Sequence, residues 1–223
     1  MDDEGYRESE TKNVHRRECQ RANLHDIFDI IKNDFSSIGY NVKTNVLNAR
    51  DFNVAQNRER VFFMGFLNNA IKNEIENPFP KSGYRGGERV LVKDVLCDLP
   101  EPEFSKDPSH RAYSRAKYYG RGLQGHTEIK WDDVAPTIRS EHHGNIEFRR
   151  LSEEHGGKNL DGPERRLSVR ECARLQSFPD DYSFVQNGVT ASDAYRLIGN
   201  AVPPIFAYSF GKHISEYWDF WFE

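Results

Sequence analysis

The chain has 223 residues, of which 37% are hydrophobic, 30% charged and 13% aromatic. That aromatic content is enough for a core and excludes a disordered polymer, and the length suits one large domain or one domain with a smaller companion. A net charge of −4 excludes a uniformly basic nucleic-acid binder, so any DNA contact must come from local basic patches. The cysteines Cys19, Cys97 and Cys172 are scattered and odd in number. They lack metal-ligand spacing and fit a reduced, cytoplasmic setting. No apolar run is long enough to span a bilayer, and no signal peptide is read.

Met1 to Arg21 is charged and nearly devoid of large aliphatics, and reads as a disordered leader. Leu24, Ile27, Phe28, Ile31 and Phe35 recur at helical spacing and predict a helix. Gly39 is its stop. Asn41 to Leu47 alternates and reads as a strand, with Val42, Thr44 and Val46 on one face. After a polar loop, Asn48 to Asn57, the run Arg60 to Phe66 reads as a buried strand. From Asn68 to Arg165, frequent Pro and Gly predict a loop-rich, short-stranded segment, with a helical turn from Val92 to Leu99 ended by Pro100. Ser168 stands three residues before Glu171, the capping-box spacing. Pro179 ends the run, so a short helix is expected from Val169 to Ser177. Cys172 and Leu175 point to one of its faces. Arg166, Arg170 and Arg174 share another, open either to solvent or to a partner. Gly188 to Ser192 is a turn, with Ser192 or Asp193 as the next cap. Pro203-Pro204 opens a last helix, with an apolar face that includes Phe206, Phe210 and Tyr217.

Arg58 and Arg60 lie two apart at a strand entry, so both leave one face. Their planar forks of donors suit a pyrimidine carbonyl edge or a phosphate, or simply an ion pair. Gly199-Asn200-Ala201-Val202 reads as a tight turn before a helix, in which glycine permits close backbone approach and Asn200 offers a donor and an acceptor. Arg111, Arg115, Lys117 and Arg121 are interleaved with Tyr113, Tyr118 and Tyr119. Such a loop suits phosphate contacts or solvation. Beyond it, Arg139, His142 and Asn145 are of types that read base edges. His142 and His143 are adjacent, poor spacing for a shared metal, and no metal is expected.

Three stretches, Gln56-Asn-Arg-Glu-Arg-Val-Phe-Phe-Met-Gly-Phe66, Arg166 to Tyr182, and Tyr195-Arg-Leu-Ile-Gly-Asn-Ala-Val-Pro-Pro204, closely resemble the last three signature blocks of the C5-cytosine DNA methyltransferases. They stand in the family's order. The resemblance covers roughly Leu24 to His213. It implies that Arg60 binds the flipped cytosine while Arg58 braces the site. It also implies that Gly199, Asn200, Ala201 and Val202 meet the amino-acid end of S-adenosylmethionine. The stretch from Ala135 to Asn145 resembles the recognition lobe beside the DNA, and Arg170 completes the expected DNA-facing set. Ala55 stands where the family commonly has proline, which loosens that loop.

The family's attacking thiol in Pro-Cys, its acid in Glu-Asn-Val and its Phe-x-Gly-x-Gly cofactor turn have no match in this sequence. Cys19 lacks the proline, and Lys12-Asn13-Val14 has lysine where the acid belongs. The chain therefore reads as the C-terminal half of such an enzyme, inactive alone. The expected fold is an α+β fragment of an α/β S-adenosylmethionine-dependent methyltransferase, with a small, loop-rich, mostly β target-recognition lobe. The expected segments are a leader (1–21), the end of the catalytic sheet (22–67), the recognition lobe (68–165) and closing helices (166–223). Expected partners are duplex DNA and either a complementary N-terminal half or a second copy, met through exposed apolar helix faces. The expected location is the bacterial cytoplasm, at the nucleoid. The competing reading is a catalytically inactive DNA-binding or regulatory module, or the remnant of a truncated gene.

Overall fold

A computed structural model describes residues 26–82, 89–115, 129–140, 165–186 and 188–222. The expected leader therefore lies outside the described residues. The chain divides into two compact units. One comprises Met1–Asn45, Phe62–Pro78 and Tyr217–Glu223; the other comprises Val46–Val61 and Phe79–Glu216.

In the first unit, residues 26–37 form helix α1. Gly39, at φ 93°, turns the chain into strand β1, Tyr40–Asn48. Strand β2, Glu59–Leu67, pairs with β1 in a two-stranded sheet, and residues 46–48 and 59–61 of the two strands belong to the second unit. The hydrogen bonds Asn68 N–H to Gly39 O (2.9 Å) and Ala49 N–H to Arg58 O (2.9 Å) close the two ends of this antiparallel ribbon. Phe28 packs edge-on against Phe63 at 5.6 Å, and Phe66 against Trp221 at 5.8 Å. The expectation of a buried β2 is corrected here. Val61 is 37% exposed, and within the strand only Phe66 is buried. A two-stranded ribbon buries little by itself. The predicted apolar stripe of α1 is likewise half covered: Phe28 and Ile31 are half-buried while Ile27 and Phe35 are exposed.

The second unit is built around helix α4. Its companions in chain order are α2 (Val92–Leu96), α3 (Pro108–Arg111), α4 itself (Val169–Leu175), α5 (Ala191–Asn200) and the first part of α6 (Pro204–Phe222). Helix α4 touches α2, α3 and α5. Two turns of helix are marginal alone in water, and this one is held by burial: Val169, Cys172, Ala173 and Leu175 are sealed in a core with Leu96, Ile129, Ile138, Leu167, Tyr195 and Ile198. Residues of the expected recognition lobe thus share one core with the closing helices, because α4 covers the apolar sides of α2 and of 129–138. Among the described residues of 89–140, regular structure consists of short helical turns and isolated bridges, in place of the strands expected there.

The predicted capping box is present. Ser168 Oγ accepts from Glu171 N–H (3.1 Å), and Glu171 returns the bond to Ser168 N–H (2.7 Å). The Ser168 hydroxyl also meets His110 Nδ1 at 2.6 Å. His110 Nε2 lies 2.7 Å from the Pro100 carbonyl oxygen. That carbonyl only accepts, so Nε2 donates to it. The helix ends earlier than expected. Ser177 is left-handed at φ 66°, and Phe178 N–H bonds Ala173 O while Ser177 N–H bonds Arg174 O, both at 2.8 Å. This is a Schellman ending, usually made with glycine. Serine is retained at a position that disfavours it, and its hydroxyl accepts from Ile205 N–H at the start of α6 (3.1 Å). Helix α5 is capped by Thr190, with Asp193 as its reciprocal partner, not by Ser192 or Asp193.

Ser168→Ala removes a helix cap and leaves a buried His110 nitrogen unpaired. It is expected to cost about 1–2 kcal/mol, read as a lower urea midpoint at unchanged slope. A wild-type midpoint would show that α4 does not depend on this cap.

Candidate functional site

The two arginines of the Gln56–Arg60 block have different surroundings. Arg58 is only 6% exposed. Its Nη1 donates to Ile138 O (3.1 Å), and its Nη2 donates to Gly199 O (2.8 Å) and Ala201 O (3.3 Å). Burial, and then the like charge of Arg60, lower Arg58 to about 10. It still holds its proton throughout the neutral range. Arg60 is exposed, and one of its guanidinium nitrogens donates to Glu59 O (2.6 Å).

Beneath Arg58 lies a pair of fully buried amides. Gln56 donates to Gln176 Oε1, and its own oxygen accepts from Ile138 N–H (3.0 Å). Gln176 Nε2 donates to Ile198 O (2.8 Å) and Ala201 O (2.9 Å). Helix C-termini leave carbonyls without internal partners and carry partial negative charge. Arg58 and Gln176 together meet that need at the end of α5. Sequence reasoning quoted both glutamines without giving them a role. A signal was present: Gln176 continues the apolar stripe Val169, Cys172, Ala173, where a polar residue demands a buried partner.

The stretch Gly199 to Val202 is not a free tight turn. Gly199 and Asn200 are the last residues of α5, and Ala201 caps it. Asn200 and Val202 are exposed, and Val202 is 57% accessible. Gly199 is buried, and a Cβ there would lie 2.5 Å from Arg139 O and 2.6 Å from Ser140 N. Its α-carbon face is therefore taken by protein backbone.

Among the basic residues expected at DNA, Arg111 and Arg115 are exposed and Arg139 is half-buried. Lys117, Arg121, His142 and Asn145 lie outside the described residues. Arg170 is a correction. It is 3% exposed, its Nε donates to Asp107 (2.5 Å), and its Nη1 donates to Tyr182 O (3.1 Å). A guanidinium enclosed in this way holds the chain together and presents no face to a phosphate. Nor is the arginine face of α4 a solvated one: Arg166 is buried, and Arg174 bridges Asp98 and Asp180, each at 2.5 Å. Hydrogen bonds from Arg174 hold both carboxyls below the usual carboxylate range. Arg165 donates to Glu171 (2.8 Å) and Glu101 (2.9 Å); burial works against its charge, and the two glutamates outweigh that.

The start of the basic stretch is anchored. Val169 N–H donates to Ala112 O (2.9 Å), and Ser114 N–H donates to the Tyr195 hydroxyl (3.1 Å). Burial pushes the Tyr195 phenol well up. It stays protonated and donates to Leu167 O (2.5 Å). A cleft of about 600 Å³ lies between Asn53–Ala55, Val95–Asp98 and Ser177–Asp180, and its lining includes neither Arg58, Arg60 nor Asn200. Among the described residues no group of three His, Cys, Asp or Glu comes together as metal ligands. No described helix is long and apolar enough to cross a membrane.

Cys172 lacks the setting of an attacking thiolate. Cys172 is sealed in the core, and burial, then the Glu171 charge, push its thiol well up. Cys97 is exposed and lines the separate cleft.

Iodoacetamide is expected to alkylate Cys97 in the native protein and Cys172 only after denaturation, as mapped by peptide mass. Equal native labelling would contradict the sealed core. Arg58→Lys keeps the charge and loses the fork that spans the carbonyls. A loss of about 1–3 kcal/mol is expected, measured by urea unfolding; unchanged stability would mean that an ammonium holds these carbonyls equally well.

The chain has recognisable relatives. Residues 13–216 match the sequence pattern of the family described as C-5 cytosine-specific DNA methylase. The type II methyltransferase M.MthTI of Methanothermobacter thermautotrophicus is 34% identical over 209 residues, spanning 85% of this chain and 60% of that protein. M.FnuDI of Fusobacterium nucleatum is 33% identical over 215 residues, spanning 88% of this chain and 61% of that protein. Among solved structures, the Dnmt2 methyltransferase of S. pombe matches with a TM-score of 0.55 at 22% identity, covering 81% of this chain and 57% of that one. At that identity the likeness shows the methyltransferase fold alone. The chain spans about 60% of the length of these two curated relatives. It belongs to the C-5 cytosine-specific DNA methylase family.

Proposed function

We propose that this chain is the DNA-recognising and base-holding part of a DNA (cytosine-5-)-methyltransferase of the restriction-modification type. The observation that carries the reading is the division of labour between two arginines. Arg58 is buried and committed to carbonyls, while Arg60, two residues on, is exposed. A base extruded from the duplex is read by donors and acceptors at its polar edge. The guanidinium of Arg60 suits the carbonyl edge of cytosine, and Arg58 sets the backbone from which Arg60 projects. Arg111 and Arg115 take the phosphates, and Arg139 the recognition edge.

S-adenosylmethionine supplies the methyl group. At the end of α5, Asn200 and, two residues on, Val202 are both exposed. The pair suits a polar and an apolar contact along one edge of that molecule, with the remainder of the pocket outside this chain. Carbon 5 of cytosine becomes nucleophilic only after a thiolate adds to the neighbouring ring carbon. Cys172 is sealed in the core, so the thiol is read as coming from outside these 223 residues, either from a complementary polypeptide or from a longer form of this one. The exposed Ile27, Ile30 and Ile38 of the first unit, with Trp218 and Phe220, suit the contact with the part that carries it.

The test mixes the chain with an N-terminal polypeptide bearing the Pro-Cys and glycine-rich blocks, then follows tritiated methyl transfer to duplex DNA. Label is expected from the mixture and not from either part. Arg60→Ala is expected to lower transfer about 10²-fold or more. Arg115→Ala is expected to weaken DNA binding across sequences and reduce the salt slope by about one. Labelling by the chain alone, or a folded but inactive complex, would reject the split-enzyme reading.

A further inference from the structure

We infer that Gly199 and the pegs around Gln56 and Arg58 are positioning residues for Arg139, fixing the root of the DNA-recognition segment against the end of α5. The inference rests on the reading of Arg139 as a DNA contact. Residues 135–140 belong to no helix or strand, yet five polar groups of Ala135, Thr137 and Ile138 are tied to the 55–58 stretch. Ala135 N–H donates to Ala55 O (2.9 Å), and Ala135 O accepts from Asn57 N–H (2.8 Å). Thr137 Oγ1 donates to Asn57 O (2.6 Å). Ile138 is held at both backbone groups, its N–H by Gln56 and its C=O by Arg58, and its side chain is buried. Immediately beyond, the Arg139–Ser140 peptide lies flat on the α-carbon of Gly199.

This last contact leaves no slack. A methyl group at residue 199 would press on Arg139 O and Ser140 N, at 2.5 and 2.6 Å. Those are backbone atoms and cannot rotate aside as a flexible side chain would. Gly199 is helical, so no positive φ explains the glycine there. The close approach does. The same residue lends its carbonyl to Arg58, which also grips Ile138 O (3.1 Å). The helix end and the recognition segment are thus clamped by one guanidinium and pressed together by one missing side chain. An arginine held at its Cα in this way loses less freedom when it meets DNA, so affinity is set partly before binding.

The test is a double-mutant cycle. Gly199→Ala, Arg139→Ala and the double variant are titrated against a fluorescein-labelled mixed-sequence duplex by anisotropy, with urea unfolding of each. Each single change is expected to weaken binding about tenfold, and the double variant by no more than about tenfold. Multiplied effects, or full affinity in Gly199→Ala, would overturn the positioning role while leaving Arg139 as a contact. An Arg139→Ala variant that binds as wild type would remove the DNA reading of Arg139 itself, and the inference with it. Should Gly199→Ala not fold, Thr137→Val removes one exposed peg at little risk to the fold. Its expected loss of about threefold must vanish in the Arg139→Ala background; a loss that persists there overturns the inference.

Discussion

Helix α5 ends without a glycine cap; Ala201 N–H serves the carbonyls of Leu197 and Ile198, and those of Gly199 and Ala201, with the second lone pair of Ile198, find donors in side chains. These are Arg58 and Gln176, which come from the entry to β2 and the end of α4. A permanently charged group with 6% exposure is tolerated only where acceptors surround it. Here the acceptors are the negative end of a helix and the carbonyl of Ile138. Segments far apart in the chain, 56–58, 138, 176 and 198–201, are therefore brought together by one requirement, that no donor or acceptor be stranded. Both the candidate base-holding residue and the candidate cofactor-facing residues are displayed from this knot, Arg60 on one side of it in sequence and Asn200 on the other.

Around the knot, α4 carries a second set of constraints. Its glutamate cap is also the partner of Arg165, and its two helical arginines reach Asp107, Asp98 and Asp180. Breaking the enclosed pair of Arg165 and Glu171 one-sidedly is costly, even where the intact pair adds little. The ion pairs thus set the placement of α2 and α3 more than they add to stability. They also hold the α3 end near Ser168, where the basic stretch departs.

What could be read from the chain followed the range of the interactions involved. The box at Ser168 and Glu171, the stop at Gly39 and both strands were legible because their causes lie within a few residues. The fate of Arg170 was not, since its carboxylate partner, Asp107, is 63 residues away. The degree of burial of β2 depends on what lies beside it, which no periodicity encodes. At the candidate site, the resemblance pointed to Arg58, Arg60 and Asn200. It missed Gln56 and Gln176, whose role lies in joining the blocks and is visible only once the blocks are assembled.

The enclosure of Arg170 separates two kinds of electrostatics in one molecule. Charges facing solvent, such as Arg111 and Arg115, interact through an ionic atmosphere that shrinks to about 3 Å at molar salt. The guanidinium of Arg170, 3% exposed and paired with a part-exposed Asp107, is screened much less by that atmosphere. Concentrated salt should therefore strip polyanions from this protein without loosening its interior, so that release from nucleic acid and loss of structure become separate events along one gradient.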